Sequence, residues 1–216
     1  MKKILFAITG LGGGGAERVV SVWASQLAEQ GYEVAILTFA KKENEYEVCE
    51  KVKRLTVTQN IKEYLSLSYI KRYKLMRKIV KEFSPDVVIS LLQRMQIWMS
   101  FVTIGIDVKR IDTVRISPWH SNNGKIVDWL WKRCFKTGDL TILQSEDQKS
   151  FFSKKVQKKC VVVPNPLNEL CENVGKTEFS SSIKKFTSAG RLAKQKTILC
   201  LLKRLQRRAK RTLILL

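Results

Sequence analysis

Five glycines between positions 10 and 15 interrupt the stretch KKILFAITGLGGGGAERVV, with an apolar run over residues 4–8 before them and an amphipathic run from Ala16 after them. That order predicts strand, loop, helix. Glycine adopts positive φ without steric cost and, lacking a Cβ, lets another molecule approach the backbone closely. A helix starting after such a loop points its unpaired N–H groups and the positive end of its dipole at it. The loop is therefore a place for an anion of phosphate size, and Gly12, Gly13, Gly14 and Gly15 are candidate binding residues. A tight turn with no ligand is the alternative, although a turn alone needs fewer glycines.

Gly10, Gly12 and Gly15 also satisfy the dinucleotide pattern G-x-G-x-x-G, which consecutive glycines do easily. That fingerprint needs an acidic residue at the end of the second strand to hold the ribose hydroxyls. Here the second strand, residues 33–39, ends in Thr38 and Phe39 and is followed by Lys41 and Lys42. NAD is disfavoured; NADP, held by the two lysines, stays open.

Helical spacing of Val19, Val20, Trp23 and Leu27 predicts a helix over residues 17–30 with Gly31 as its stop. Residues 54–58 read as a third strand. A helix is expected over residues 69–83, with Ile70, Tyr73, Met76, Ile79 and Phe83 on its apolar side and Lys71, Arg72, Lys74, Lys78 and Lys81 on the other. After Ser84-Pro85, the unbroken run VVISLL suits a parallel strand buried on both faces. Further helices are expected over 94–104, 125–136 (Trp129, Leu130 and Phe135 apolar) and 146–152 (Ser145 as N-cap). Further strands are expected over 110–117, 140–143 and 160–163. Alternation of this kind predicts a doubly wound, mostly parallel Rossmann-like α/β domain over residues 1–166, with ligands beyond the carboxyl ends of the strands. Residues 167–183 read as a linker and 184–216 as the start of a second domain with a divergent basic tail.

The formal net charge of +21 on 216 residues implies attraction to anions: nucleic acid, anionic lipid or phosphorylated substrates. Much of it lies in the tail, where residues 203–211 hold six basic side chains and no Asp or Glu follows Glu178. No basic–aromatic nucleic-acid motif accompanies it, so a nucleic-acid partner is not expected. The five cysteines form no C-x-x-C pair and no secretory signal precedes them, which predicts reduced thiols in the cytoplasm and no metal site. The longest apolar window, residues 97–106, is about half of what spans a bilayer. A soluble protein, or one peripheral at the inner face of a membrane, is expected. Lys71, Lys74 and Lys78 are the candidate contacts with anionic lipid, each contributing roughly 1 kcal/mol; a solvated helix face is the alternative.

Three stretches together resemble glycosyltransferase family four with its two-domain GT-B fold: GLGGGGAERVV, DLTILQSEDQKSFF running on to VVVPNPL, and AGRLAKQK at residues 189–196. The resemblance covers residues 1–196. It implies that the N-terminal domain binds the acceptor, that a C-terminal domain binds a nucleotide-sugar as co-substrate with no other cofactor, and that the sugar is transferred with retention. Arg191 and Lys196 would grip the donor diphosphate, and the glycine loop would approach it from the facing domain. His120, the only histidine, would contact the transferred sugar; a polar loop residue is the other reading of it. Glu17 favours the first helical turn by itself, and Arg115 reads as a strand-end charge.

The family's second domain runs much further and carries a closely spaced glutamate pair, whereas this sequence has no carboxylate after Glu178. The chain is therefore expected to be truncated and inactive alone, its missing part supplied by a second chain or lost through a one-base shift near codon 197. The complete enzyme would transfer a sugar to a glycan or lipid-linked acceptor. A non-catalytic module binding a phosphorylated lipid or glycan is the alternative class.

Overall fold

The computed structural model describes residues 2–115, 118–120 and 124–166, apart from the His120 side chain. Arg191, Lys196, the linker and the basic tail lie outside the described residues.

Seven strands form one all-parallel sheet: β1 Lys3–Ala7, β2 Glu33–Ala40, β3 Lys53–Thr58, β4 Val87–Ser90, β5 Lys109–Thr113, β6 Leu140–Leu143 and β7 Cys160–Val162, in the order β3-β2-β1-β4-β5-β6-β7. Among the described residues six α-helices accompany them: α1 Gly15–Glu29, α2 Ile61–Ser66, α3 Tyr69–Phe83, α4 Gln93–Val102, α5 Lys125–Thr137 and α6 Lys154–Gln157. This is the doubly wound Rossmann-like α/β fold expected from the sequence. The central strands are buried on both faces because helices cover both. On one face Leu5, Leu37 and Val88 pack with Met76, Val80 and Phe83 of α3 and Met95 and Met99 of α4. On the other, Phe6, Ile36 and Ile89 pack with Val20, Ala24 and Ala28 of α1. A third cluster joins Val114 and Leu143 to Trp131 and Phe135 of α5.

α1 ends as expected: Gly31 has φ +92°, the left-handed conformation that glycine supplies at a helix stop. Other details depart from expectation. β5 ends at Thr113, so Arg115 belongs to the loop beyond the sheet and not to a longer strand. The segment expected as a helix from Glu146 is a 3-10 turn, Glu146–Phe151, and Ser145 makes no side-chain cap. The Gln148 side chain there accepts from the Gln144 N–H at 2.8 Å. The apolar side of α3 meets the core through Met76, Val80 and Phe83, with Tyr73 and Ile79 half-buried beside them, while Ile70 is exposed. In α5 Trp131 is buried and Trp129 is exposed. α2 was not expected, although Asn60 and Glu63 announce it. Asn60 Oδ1 accepts from the Glu63 N–H at 2.9 Å and the Glu63 carboxylate accepts from the Gln59 N–H at 3.1 Å, a reciprocal cap.

Beneath the carboxyl edge lies a buried polar network. Ser90 Oγ donates to Asp112 Oδ1 at 2.5 Å and Arg110 Nε to Asp112 Oδ2 at 3.2 Å. Gln96 Nε2 donates to the Thr113 carbonyl at 2.6 Å, and Gln96 Oε1 accepts from Trp131 Nε1 at 2.5 Å. The network ties α4 and α5 to β4 and β5, and so fixes the ends of the strands that carry the site.

Candidate functional site

In the strand order, β1 leads to β2 on one side, while β3 crosses over to β4 on the other. Between the carboxyl ends of β1 and β4 the connections therefore diverge, and ligands of such sheets bind in the crevice left there. The glycine loop lies at that point.

Its glycines are required for different reasons. A Cβ on Gly12 would sit 3.0 Å from the Asn44 carbonyl oxygen and 3.2 Å from Lys42 Cδ, so a side chain there would crowd the chain's own packing. Gly13 has φ +73°, where a side chain is strained. On Gly14 a Cβ would meet the Glu17 carboxylate, which folds back over the start of α1. Nothing lies within 4 Å of a Cβ on Gly15, and no positive φ requires glycine there. Space at Gly13 and Gly15 is thus open in front of a helix N-terminus that no side chain caps. We expect Gly12→Ala to lower the midpoint of thermal unfolding, and Gly15→Ala, which removes a glycine from a helix start, to leave it unchanged or raise it by up to about 1 kcal/mol of stability. Differential scanning calorimetry of the two variants checks this.

Lys42 adds a cation to the loop: its Cε would be 3.2 Å from a Gly10 Cβ. In the sequence it stood out only as a contact for NADP; its place two residues past β2, the neighbouring strand on the same edge, is the signal for this role. Across the switch point, Leu92 opens α4 with φ +66° and ψ +136°, a conformation unusual for a branched side chain and of the kind that gathers at functional sites.

Arg115 is the residue that sequence reasoning undervalued. Its guanidinium lies 4.4 Å from the centroid of the Trp23 ring, on α1, and Nη1 donates to Asn165 Oδ1, beyond β7, at 2.7 Å. Nε and Nη2 are out of solvent and have no hydrogen-bond partner among the described residues. Desolvation lowers its pKa to about 10, so it is still a cation at neutral pH. A buried donor without an acceptor is costly, and two on one charged group mark a place for an anion.

His120 closes the 3-10 turn Pro118–His120 in the same edge, after β5. Beside this turn is a cavity of about 200 Å³ lined by Pro118, Trp119, Asp128, Trp131, Lys132 and Phe151. Trp119 meets Phe151 edge-on at 5.8 Å. The structure thus brings the glycine loop, Lys42, Arg115 and the His120 turn to one edge. Lys71, Lys74 and Lys78 are exposed along α3, away from that loop. Among the described residues no helix is long and apolar enough to cross a membrane.

The chain is 29% identical over 193 residues to a Campylobacter jejuni GalNAc-alpha-(1->4)-GalNAc-alpha-(1->3)-diNAcBac-PP-undecaprenol alpha-1,4-N-acetyl-D-galactosaminyltransferase, covering 86% of this chain and 50% of that protein. It is 27% identical over 188 residues to an uncharacterized glycosyltransferase of Haemophilus influenzae, covering 83% and 53%. Among solved structures, the Anabaena protein Alr3699/HepE in complex with UDP-glucose superposes with a TM-score of 0.57 at 12% identity, over 78% of this chain and 45% of that one. The chain spans about half the length of the curated relatives it matches. The shared fold is the N-terminal Rossmann-like half of GT-B glycosyltransferases. Residues 13–169 match Glycosyltransferase Family 4, which is most of the length and takes in Gly13 to Gly15, Lys42, Arg115 and the His120 turn, and the chain belongs to that family.

Proposed function

We propose that this chain forms the acceptor-binding half of an enzyme that moves a sugar from a nucleotide-sugar to a glycan or lipid-linked acceptor, with retention at the anomeric carbon. The observation that carries the reading is Arg115: a cation with two buried donors that have no partner among the described residues, on the same sheet edge as an open glycine loop. Such an edge suits a diphosphate. The Anabaena structure holds UDP-glucose, and the Campylobacter enzyme's name gives a diphosphate-linked undecaprenol glycan as its acceptor. Either would bring that group.

In the proposed reaction the bond between the anomeric carbon and the donor phosphate oxygen breaks. The acceptor hydroxyl oxygen bonds to that carbon on the same face and gives its proton to the departing diphosphate oxygen. Charge collects on the departing diphosphate, and fixed donors aimed at it lower the barrier. Backbone N–H groups of Gly12 to Gly15, with Arg191 and Lys196, are the proposed stabilisers, and His120 the proposed contact to the transferred sugar. Protein cations fill the part that a metal would otherwise take, and the nucleotide-sugar is the only co-substrate. A polyprenyl acceptor would be membrane-bound, which fits peripheral contact of α3 with anionic lipid through Lys71, Lys74 and Lys78.

The test is binding followed by transfer. The purified chain is titrated with a polyprenyl-diphosphate glycan, then assayed with a panel of nucleotide-sugars, alone and with a family-type donor-binding domain added as a second chain. Acceptor binding without turnover is expected from the chain alone, and turnover with a retained anomeric configuration once the donor half is present. Turnover by the chain alone would overturn the division of labour. Binding with no transfer in any combination favours the non-catalytic module.

A further inference from the structure

The first turn of α3 leaves an apolar surface that no element of the described residues covers. Tyr69, Ile70 and Ile104 are 75%, 68% and 63% exposed. With Tyr73, Trp98 and Phe101 they line a shallow groove of about 400 Å³ between α3 and the end of α4. Its shape is fixed from below. Arg77 donates to the Val102 and Ile104 carbonyls at 2.6 and 2.8 Å, which locks α3 to the carboxyl end of α4, and Tyr69 stacks on Trp98 at 6.1 Å.

The rim of this groove is basic. A second hollow, which shares Tyr73 with the first, is lined by Lys74, Arg77, Lys78, Lys81 and Glu82. Glu82 is the only acid of α3 and lies 3.7 Å from Lys78. Lys71, Lys74 and Lys81 are exposed and make no ion pair among the described residues. Ile70 lies one helical turn before Lys74, so apolar and cationic side chains adjoin along one side of the helix. Tyr and Trp beside exposed aliphatic residues, edged by lysines, form the pattern of a surface seated in the headgroup region of a bilayer.

We propose that this groove and its rim are the membrane-docking surface of the protein, with Tyr69, Ile70, Phe101 and Ile104 inserted into the interface of an anionic bilayer and the lysines on its headgroups. The inference rests on the peripheral-membrane reading above and adds apolar insertion to it. Charge complementarity favours an anionic bilayer over a second copy of this chain, since pairing two such faces would oppose their lysines.

The test is sedimentation of the full chain with vesicles of phosphatidylcholine alone and with phosphatidylglycerol added. Three proteins are compared: the native chain, Lys71→Gln/Lys74→Gln/Lys78→Gln, and Ile70→Ser/Phe101→Ser/Ile104→Ser. All changed positions are exposed, and unchanged circular dichroism checks that each variant folds. We expect binding that needs anionic lipid, and a loss of about tenfold for each triple variant. In high salt the native chain should retain more binding than the serine variant, because salt screens only the electrostatic part. Undiminished binding of the serine variant, with loss in the glutamine one, overturns insertion and leaves a purely electrostatic contact. Absence of binding to any vesicle overturns the membrane reading itself. A dimer of the native chain that the serine substitutions dissociate would assign the groove to a second copy.

Discussion

Asp112→Ala is expected to lower the unfolding free energy by about 3–5 kcal/mol, the cost of leaving one member of a buried ion pair alone. Asp112 is fully buried and Arg110 nearly so, at 0% and 6% exposure. Arg110 Nη2 also donates to the Cys134 carbonyl and Thr137 Oγ1, both at 2.7 Å, so it cannot swing out to water without breaking the end of α5. Gly138 makes room for the pair: a Cβ there would sit 2.6 Å from Asp112 Oδ2. The double variant Arg110→Met/Asp112→Leu should recover most of the loss, since a buried pair replaced by apolar groups of similar volume is often neutral. Urea denaturation of the two variants, completed as a double-mutant cycle, checks both statements.

The same carboxyl group predicts a dependence on pH. Burial raises its pKa, although Arg110 and Ser90 oppose the rise. Between the ordinary carboxylate value and the raised one, the native state keeps a proton that the unfolded chain has released. Stability from this group is therefore full below that window and declines as pH rises through it. Asp112→Asn, which does not titrate, should remove that part of the decline. A decline of the same size in Asp112→Asn would assign it to other groups.

How much of this was legible in the sequence follows from what each feature depends on. The parallel sheet was legible because residues 4–8, 34–37 and 87–89 are apolar without a break, a pattern that suits strands covered on both faces. The loop was legible because its glycines are consecutive. Their separate reasons were not: Gly12 is crowded by the Asn44 carbonyl, which reaches it from the loop after another strand. Ile70 was misplaced because helical periodicity fixes a stripe but not which edge of that stripe meets the sheet. Met76, Val80 and Phe83 reach it, Tyr73 and Ile79 pack at its margin, and Ile70 does not. The pair of Arg110 and Asp112 stands two residues apart within β5, so both project to the same side, yet their burial depends on Ser90 and Gly138 from other segments. Arg115 read as an ordinary strand-end charge because nothing in the local sequence shows that Trp23 and Asn165 converge on it.

That convergence gives the second large effect. Arg115→Met is expected to raise the unfolding free energy by about 1 kcal/mol while abolishing most affinity for a diphosphate-bearing ligand. Stabilisation follows because Nε and Nη2 lose solvent on folding and gain no acceptor among the described residues, a cost of about 1–3 kcal/mol per orphaned group. Methionine keeps the stem's contact with Trp23 and gives up only the bond to Asn165 and the cation–ring attraction, together about 1–2 kcal/mol. Loss of affinity follows because two charge-assisted hydrogen bonds to a phosphate would go at once, about 1.5–3 kcal/mol each, or more than a hundredfold in binding. A structural arginine gives the opposite pair of results: less stability, with ligand affinity unchanged in whatever remains folded. Calorimetric unfolding of Arg115→Met, beside titration of both proteins with inorganic pyrophosphate and with a polyprenyl-diphosphate glycan, separates the two. Arg115→Lys serves as the control for charge alone. Lysine keeps the cation without the planar fork, so it should hold pyrophosphate more weakly than arginine and more tightly than methionine. If Arg115→Met is destabilised and still binds both ligands as the native chain does, the guanidinium belongs to the packing of α1 against the carboxyl edge, and the anion site lies with the glycine loop and Lys42 alone.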